Sequence, residues 1–219
     1  MEAERRVRIW DPWVRLVHWG LALLVPLAWV TITQHWFRLH TMIGYAVLTL
    51  VVFRLLWGLF GSESAQFRSF LKPPLEGLRH LSQLHRREAD LYVTHNAAGG
   101  WVVVAFLLLL GAQASLGLFS NDDSFQAGPL RFLVSKETSD WLTSWHHSIY
   151  WWIVGLIALH VLAVLAYRVL KGQDLIRAMI TGTKTLPKEV RGPRIAHPVL
   201  GAALLALSAA LVTAASYLG

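Results

Sequence analysis

Five long apolar runs alternate with polar, charged segments along this chain. They cover residues 14–33, 40–60, 97–119, 144–167 and 196–218. A helix crosses a hydrocarbon core of about 30 Å with about 20 residues, so each run is long enough to span one. The pattern predicts an all-α integral membrane bundle. Pro26 is expected to kink the first helix. Residues 34–39 leave only a short link, which makes the first two helices antiparallel neighbours. Residues 61–94 are polar and basic. Pro73-Pro74 rules out a continuous helix there, and a surface helix is expected over 75–87. Residues 120–140 read as a mixed, acidic loop with Gly128-Pro129, and 168–194 are basic again. The fifth run is rich in Ala and Leu and carries no charge.

Charge orients the spans. Lys and Arg number sixteen across residues 1–15, 61–95 and 168–194, against three (Arg38, Arg131 and Lys136) on the opposite side. The positive-inside rule then puts the N-terminus in the cytoplasm and the C-terminus outside. The basic start resembles a signal-peptide n-region. The run behind it is long and lacks a small-residue cleavage site, so it reads as an uncleaved first span.

Composition narrows the chemistry. Of 219 residues, 55% are hydrophobic and the mean hydropathy is +0.46, which is rare for a soluble domain. The absence of cysteine excludes disulfides, thiolate metal sites, iron–sulfur clusters and covalently attached haem. The net charge of +7 follows the cytoplasmic loops with no reading motif, so it speaks for topology and against nucleic acid. Trp10, Trp13, Trp19, Trp141, Trp145, Trp151 and Trp152 cluster near span ends as an interfacial belt.

An ionisable side chain inside a span is costly and marks function. His18 and His160 fall towards the cytoplasmic ends of the first and fourth runs. His40 and His146 open the second and fourth runs on the other side. His146 and His160 are fourteen residues apart, which leaves them about 40° from alignment on one helix face and about 21 Å apart along it. A lone histidine of this kind is usually structural. Four at two matched depths point to two bis-His haems, His40 with His146 and His18 with His160. Such iron has no open position, which favours electron transfer. His147 is the rival of His146, but its ring points about 140° away from that of His160. His35, His80, His85 and His197 lie in loops or at span ends and read as solvated.

The motifs carry a family likeness. Residues 11–19, Asp-Pro-Trp-Val-Arg-Leu-Val-His-Trp, resemble the opening of bacterial di-haem b-type cytochromes, the cytochrome b561 / Ni-Fe-hydrogenase cytochrome b subunit family. Residues 39–45 and 54–58 resemble its second helix and 95–100 the start of its third. Trp145-His146 and Leu159-His160 resemble its fourth-helix ligand pair, and 177–184 the segment that closes its core. The resemblance covers about residues 8–184. It implies a four-helix core holding two haem b, with His18, His40, His146 and His160 as axial ligands, in a bacterial inner membrane; the charge count above makes the C-terminus periplasmic. Residues 1–184 then form the di-haem domain. Residues 185–219 form a linker and a fifth transmembrane helix, which the family core does not require.

Three further residues join the candidate site. Arg54, the only Lys or Arg inside a span apart from Arg15 at the edge of the first, follows His40 by fourteen residues and is read as a partner of an inner-haem propionate, against a snorkelling alternative. Gly44, one turn after His40, leaves room for a porphyrin, whereas Gly155 reads as a helix-packing glycine. His95 is read as a propionate contact or part of a quinone site, with a lesser case as a ligand in place of His18. The expected function is transmembrane electron transfer between a quinone/quinol pool and a periplasmic cytochrome c or another redox-enzyme subunit, with membrane lipid as the surroundings. One alternative is a self-sufficient oxidoreductase that reacts with quinone or superoxide. Another is a His-lined metal or proton transporter, which the lack of Asp and Glu in every span disfavours.

Overall fold

The computed structural model describes residues 4–82, 92–123 and 126–218. In chain order these form β1 (Glu4–Arg8), α1 (Pro12–Thr33), α2 (Phe37–Phe60), α3 (Phe67–Phe70), α4 (Pro74–Ser82), α5 (Ala97–Phe119), α6 (Lys136–Ala166), a π-helical turn (Tyr167–Lys171), α7 (Leu175–Thr181), β2 (Thr183–Pro187) and α8 (Pro198–Ser216). Five of these helices, α1, α2, α5, α6 and α8, are long and apolar enough to cross a membrane. Large apolar side chains such as Leu23, Leu108 and Leu162 stand exposed on them, as a lipid-facing surface requires. α1 is continuous through Pro26. The expected surface helix is present as α4, with Pro74 at its first position, where a missing N–H costs nothing. Residues 83–91, the rest of that expectation, lie outside the described residues.

Two features depart from the sequence pattern. A small antiparallel ribbon joins β1 to β2, with Glu4 opposite Pro187 and Arg8 opposite Thr183, so the helical bundle carries one piece of sheet. α6 begins at Lys136, well before the apolar run. At 31 residues it is about 46 Å long, more than a hydrocarbon core needs. Its first turns therefore belong to the segment read as a loop. There Lys136 donates to Asp140 at 2.7 Å, and that hydrogen bond holds the Asp140 carboxyl below its usual range.

The chain divides into two compact units. The first comprises Met1–Leu16, Leu56–Ala105 and Ile157–Gly201. Its centre is Asp11, 1% exposed, which caps α1 by accepting from the Val14 N–H at 2.9 Å and also accepts from the Trp57 indole at 3.0 Å. Gly182, at φ 77°, turns the chain from α7 into β2, and its carbonyl accepts from the N–H groups of Ile9 and Trp10. A side chain could not replace Gly58, where a Cβ would lie 2.2 Å from the Phe67 ring. Gly201 of α8 sits on the Trp13 ring in the same way.

The second unit comprises Val17–Leu55, Phe106–Leu156 and Ala202–Gly219. α1 ends in a Schellman turn, with His35 at φ 57° and the Trp36 N–H bonded to the Thr31 carbonyl at 2.8 Å. The end of α5 is closed by the loop behind it, where Leu130 N–H reaches the Leu118 carbonyl at 2.8 Å. Asn121 ties that loop to α6 through the Ser139 hydroxyl at 2.6 Å. The Ser208 side chain of α8 is fully buried, and Ser216 hydrogen-bonds the Tyr45 hydroxyl of α2. The fifth helix thus packs against its own chain along a narrow stripe.

Candidate functional site

His40 and His146 meet in the second unit. Their ring centres are 6.2 Å apart and the ring planes stand at 89°. A backbone carbonyl holds each ring from behind. His40 Nδ1 lies 2.9 Å from the Ala28 oxygen of α1, and His146 Nδ1 lies 2.9 Å from the Gln113 oxygen of α5. A carbonyl only accepts, so both Nδ1 atoms carry the proton and each Nε2 keeps its lone pair. Metal-binding histidines are oriented in this way, by a second partner on the nitrogen away from the metal. An imidazole nitrogen binds a transition-metal ion at about 2 Å, which places two end-on rings about 6 Å apart, centre to centre. The observed separation fits one ion between them.

The support for these rings comes from residues that sequence reasoning missed. The Ala28 carbonyl also receives the hydroxyl of Thr31, which is fully buried. Gln113 adds its side-chain amide, 3.4 Å from His146 Nε2. One turn on, Gly117 lets the imidazole lie against α5, since a Cβ there would be 3.1 Å from His146 Cε1. An amide inside an apolar run was a visible signal for Gln113. The carbonyl contacts leave no trace in the sequence.

The other candidates are placed as follows. His147 is exposed. His18 is half-buried in the second unit, with the Trp19 ring edge-on at 4.7 Å, and His160 is half-buried in the first. His95, also in the first unit, lies between Trp10 and Phe70 at ring distances of 4.7 and 4.8 Å. Arg54 is buried, only 5% exposed, on the helix that carries His40. That burial is at odds with snorkelling, which keeps the charged head in water. Gly44 is half-buried, and a Cβ there would meet nothing within 4 Å, so open space adjoins α2 one turn after His40. Gly155 is exposed with nothing within 4 Å of such a Cβ, so packing within this chain does not account for it. His35 and His197 are exposed, while His85 and the side chain of His80 lie outside the description.

Among the described residues, no three or more His, Asp or Glu side chains gather as a metal cluster. A bare zinc-type site takes three or four protein ligands. Paired imidazoles suit a metal that arrives with ring nitrogens of its own, as haem iron does. Donor type, spacing and the space at Gly44 all fit that group. Beside His40, an open hollow of about 420 Å³ is lined by His35, Trp36, Arg38, Met42 and Gln126, among others.

The family model for prokaryotic cytochrome b561 matches residues 9–182. The chain belongs to that family. Prokaryotic cytochrome b561 proteins carry electrons through a membrane on b-type haem, and this chain is a membrane protein of that kind. The matched stretch contains all four level-matched histidines together with Arg54 and His95, and ends at the turn into β2; α8 lies beyond it. No curated protein and no solved structure matches the chain.

Proposed function

We propose that this cytochrome b561 is a two-haem relay of the bacterial inner membrane, moving single electrons between a quinone/quinol pool and a periplasmic or membrane redox partner. The observation that carries the reading is the His40–His146 pair, with both Nδ1 atoms tied to carbonyls, which leaves the lone pair of each Nε2 as the ring's acceptor. These two would hold the outer haem. His160 follows His146 by fourteen residues on α6 and would be a ligand of the inner one. The bound haem supplies a one-electron iron couple. The chain's own part is to fix the imidazoles, keep charge where it is needed and exclude water. The excess of Lys and Arg on one side supports a cytoplasmic N-terminus and a periplasmic C-terminus. Residues 1–184 would carry both haems, and α8 would be an addition outside that domain.

Haem per chain on detergent-purified protein tests this reading, through a pyridine haemochrome and a reduced-minus-oxidised spectrum. The expected value is two b-type haems; a chain without a Soret band overturns it. Arg54 would pair with an inner-haem propionate. Arg54→Leu is then expected to lower the inner midpoint potential or the inner haem content, because a lost positive charge favours ferric iron. Unchanged potential and content would refute that role.

The hollow beside His40 favours a second reading, in which the chain itself reacts with quinone or superoxide. Turnover with quinone by purified protein, with no partner subunit, separates it from a relay.

A further inference from the structure

The end of α6 has its polarity reversed. Val169 and Leu170 are 70% and 48% exposed, whereas Lys171 beside them is only 7% exposed. The π-helical turn brings this about. It closes on Gly172 at φ 70°, and Gln173 N–H bonds the Tyr167 carbonyl at 3.2 Å. π-turns inside α-helices recur at functional sites. A buried lysine is normally paired, and among the described residues no carboxylate forms an ion pair with this one. Its ammonium lies 5.9 Å from the centre of the Tyr167 ring. Tyr167 is itself buried, and its hydroxyl accepts from the Asn96 amide at 3.0 Å. The ring contact and the carbonyl end of a helix both favour a cation. Both are weak contacts, and they leave the ammonium's hydrogen-bonding capacity for an anion.

We infer that Lys171, with Tyr167 beside it, forms a buried anion site for a carboxylate of the haem held by His160. The inference rests on His160 as a haem ligand, as proposed above. Tyr167 follows His160 by seven residues and so points within about 20° of it, about 10 Å further along the helix. Lys171 comes one turn later, with its side chain leaning back along the axis. The edge of a haem macrocycle and its propionate arm together cover that distance. All of these residues, with Asn96 and His95, belong to one compact unit. The chemistry offered is a charge-assisted hydrogen bond from an ammonium to an anionic oxygen. A phospholipid phosphate shares that chemistry and is the competing source.

The test compares wild type, K171M and K171R as full-length detergent-purified protein. Haem per chain, the midpoint potential of each haem and co-purifying anionic phospholipid are measured. K171M is expected to lose the inner haem, or to shift its oxidised-to-reduced equilibrium about tenfold towards ferric iron. A tenfold shift is about 59 mV for a one-electron couple. K171R should stay close to wild type, and the outer haem should be unchanged in both, serving as the control for folding. If K171M loses both haems, K171Q takes its place in the same comparison. Wild-type potentials and haem content in the neutral variant overturn the site. If bound anionic lipid falls while the potentials hold, the anion is a lipid phosphate and the propionate assignment fails. Should His160→Ala leave haem content unchanged in an otherwise normal protein, the ligand assignment itself falls, a result distinct from failure at Lys171.

Discussion

His146→Ala is expected to remove one of the two proposed haems and leave the other in place. His146 offers a single nitrogen lone pair, at Nε2, and its other nitrogen is spent on the Gln113 carbonyl. Alanine would leave His40 facing an iron held from one side only. His40 cannot cover the loss, because its ring is fixed by the Ala28 carbonyl. The neighbouring imidazole of His147 is exposed. Haem per chain should therefore fall to about half of wild type in H146A and stay whole in H147A. The retained haem should keep its potential, since the proposed iron-to-iron distance is about 20 Å along the helix. Pyridine haemochrome and redox titration of both variants check this. The opposite pattern, with H147A losing haem and H146A keeping it, would reassign the ligand.

Gly44→Leu should leave the polypeptide fold intact and expel the same haem. The reason lies in how this glycine differs from others in the chain. A Cβ at Gly20 would press on Leu50 at 2.9 Å, and one at Gly58 would enter the Phe67 ring. Those glycines exist for helix packing, and overfilling them costs about 1–3 kcal/mol of stability. A Cβ at Gly44 would meet nothing within 4 Å outside its own helix, so a side chain can start there without overfilling a helix contact. The leucine side chain would stand one turn from His40, in the space left for the cofactor. Near-normal expression and thermal unfolding of the haem-free protein, together with loss of about one haem in two, is the expected result. Full haem content in G44L would show that the space serves lipid or nothing at all.

How far the sequence could be read depended on the range of the interaction. The spans were legible because transfer of apolar side chains into a hydrocarbon core adds up residue by residue along a run. Their ends moved only where other forces act. α6 starts at Lys136 because polar residues such as Lys136 and Asp140 support a helix outside the apolar run. The ribbon was hidden. Arg5, Arg6 and Arg8 in β1 give no strand pattern, and the pairing partner lies near the far end of the chain, from Thr183 to Pro187.

The same division runs through the candidate site. Sequence alone determined the family and the five spans, because helical rise and periodicity are local and regular. Tertiary structure alone decided that Arg54 and Lys171 are buried, and that Ala28 and Gln113 hold the imidazoles. Burial of a charge depends on what surrounds it from other parts of the chain. A main-chain carbonyl is the same for every residue type, so the contacts that set both tautomers carry no mark in the sequence and exist only once the helices have packed.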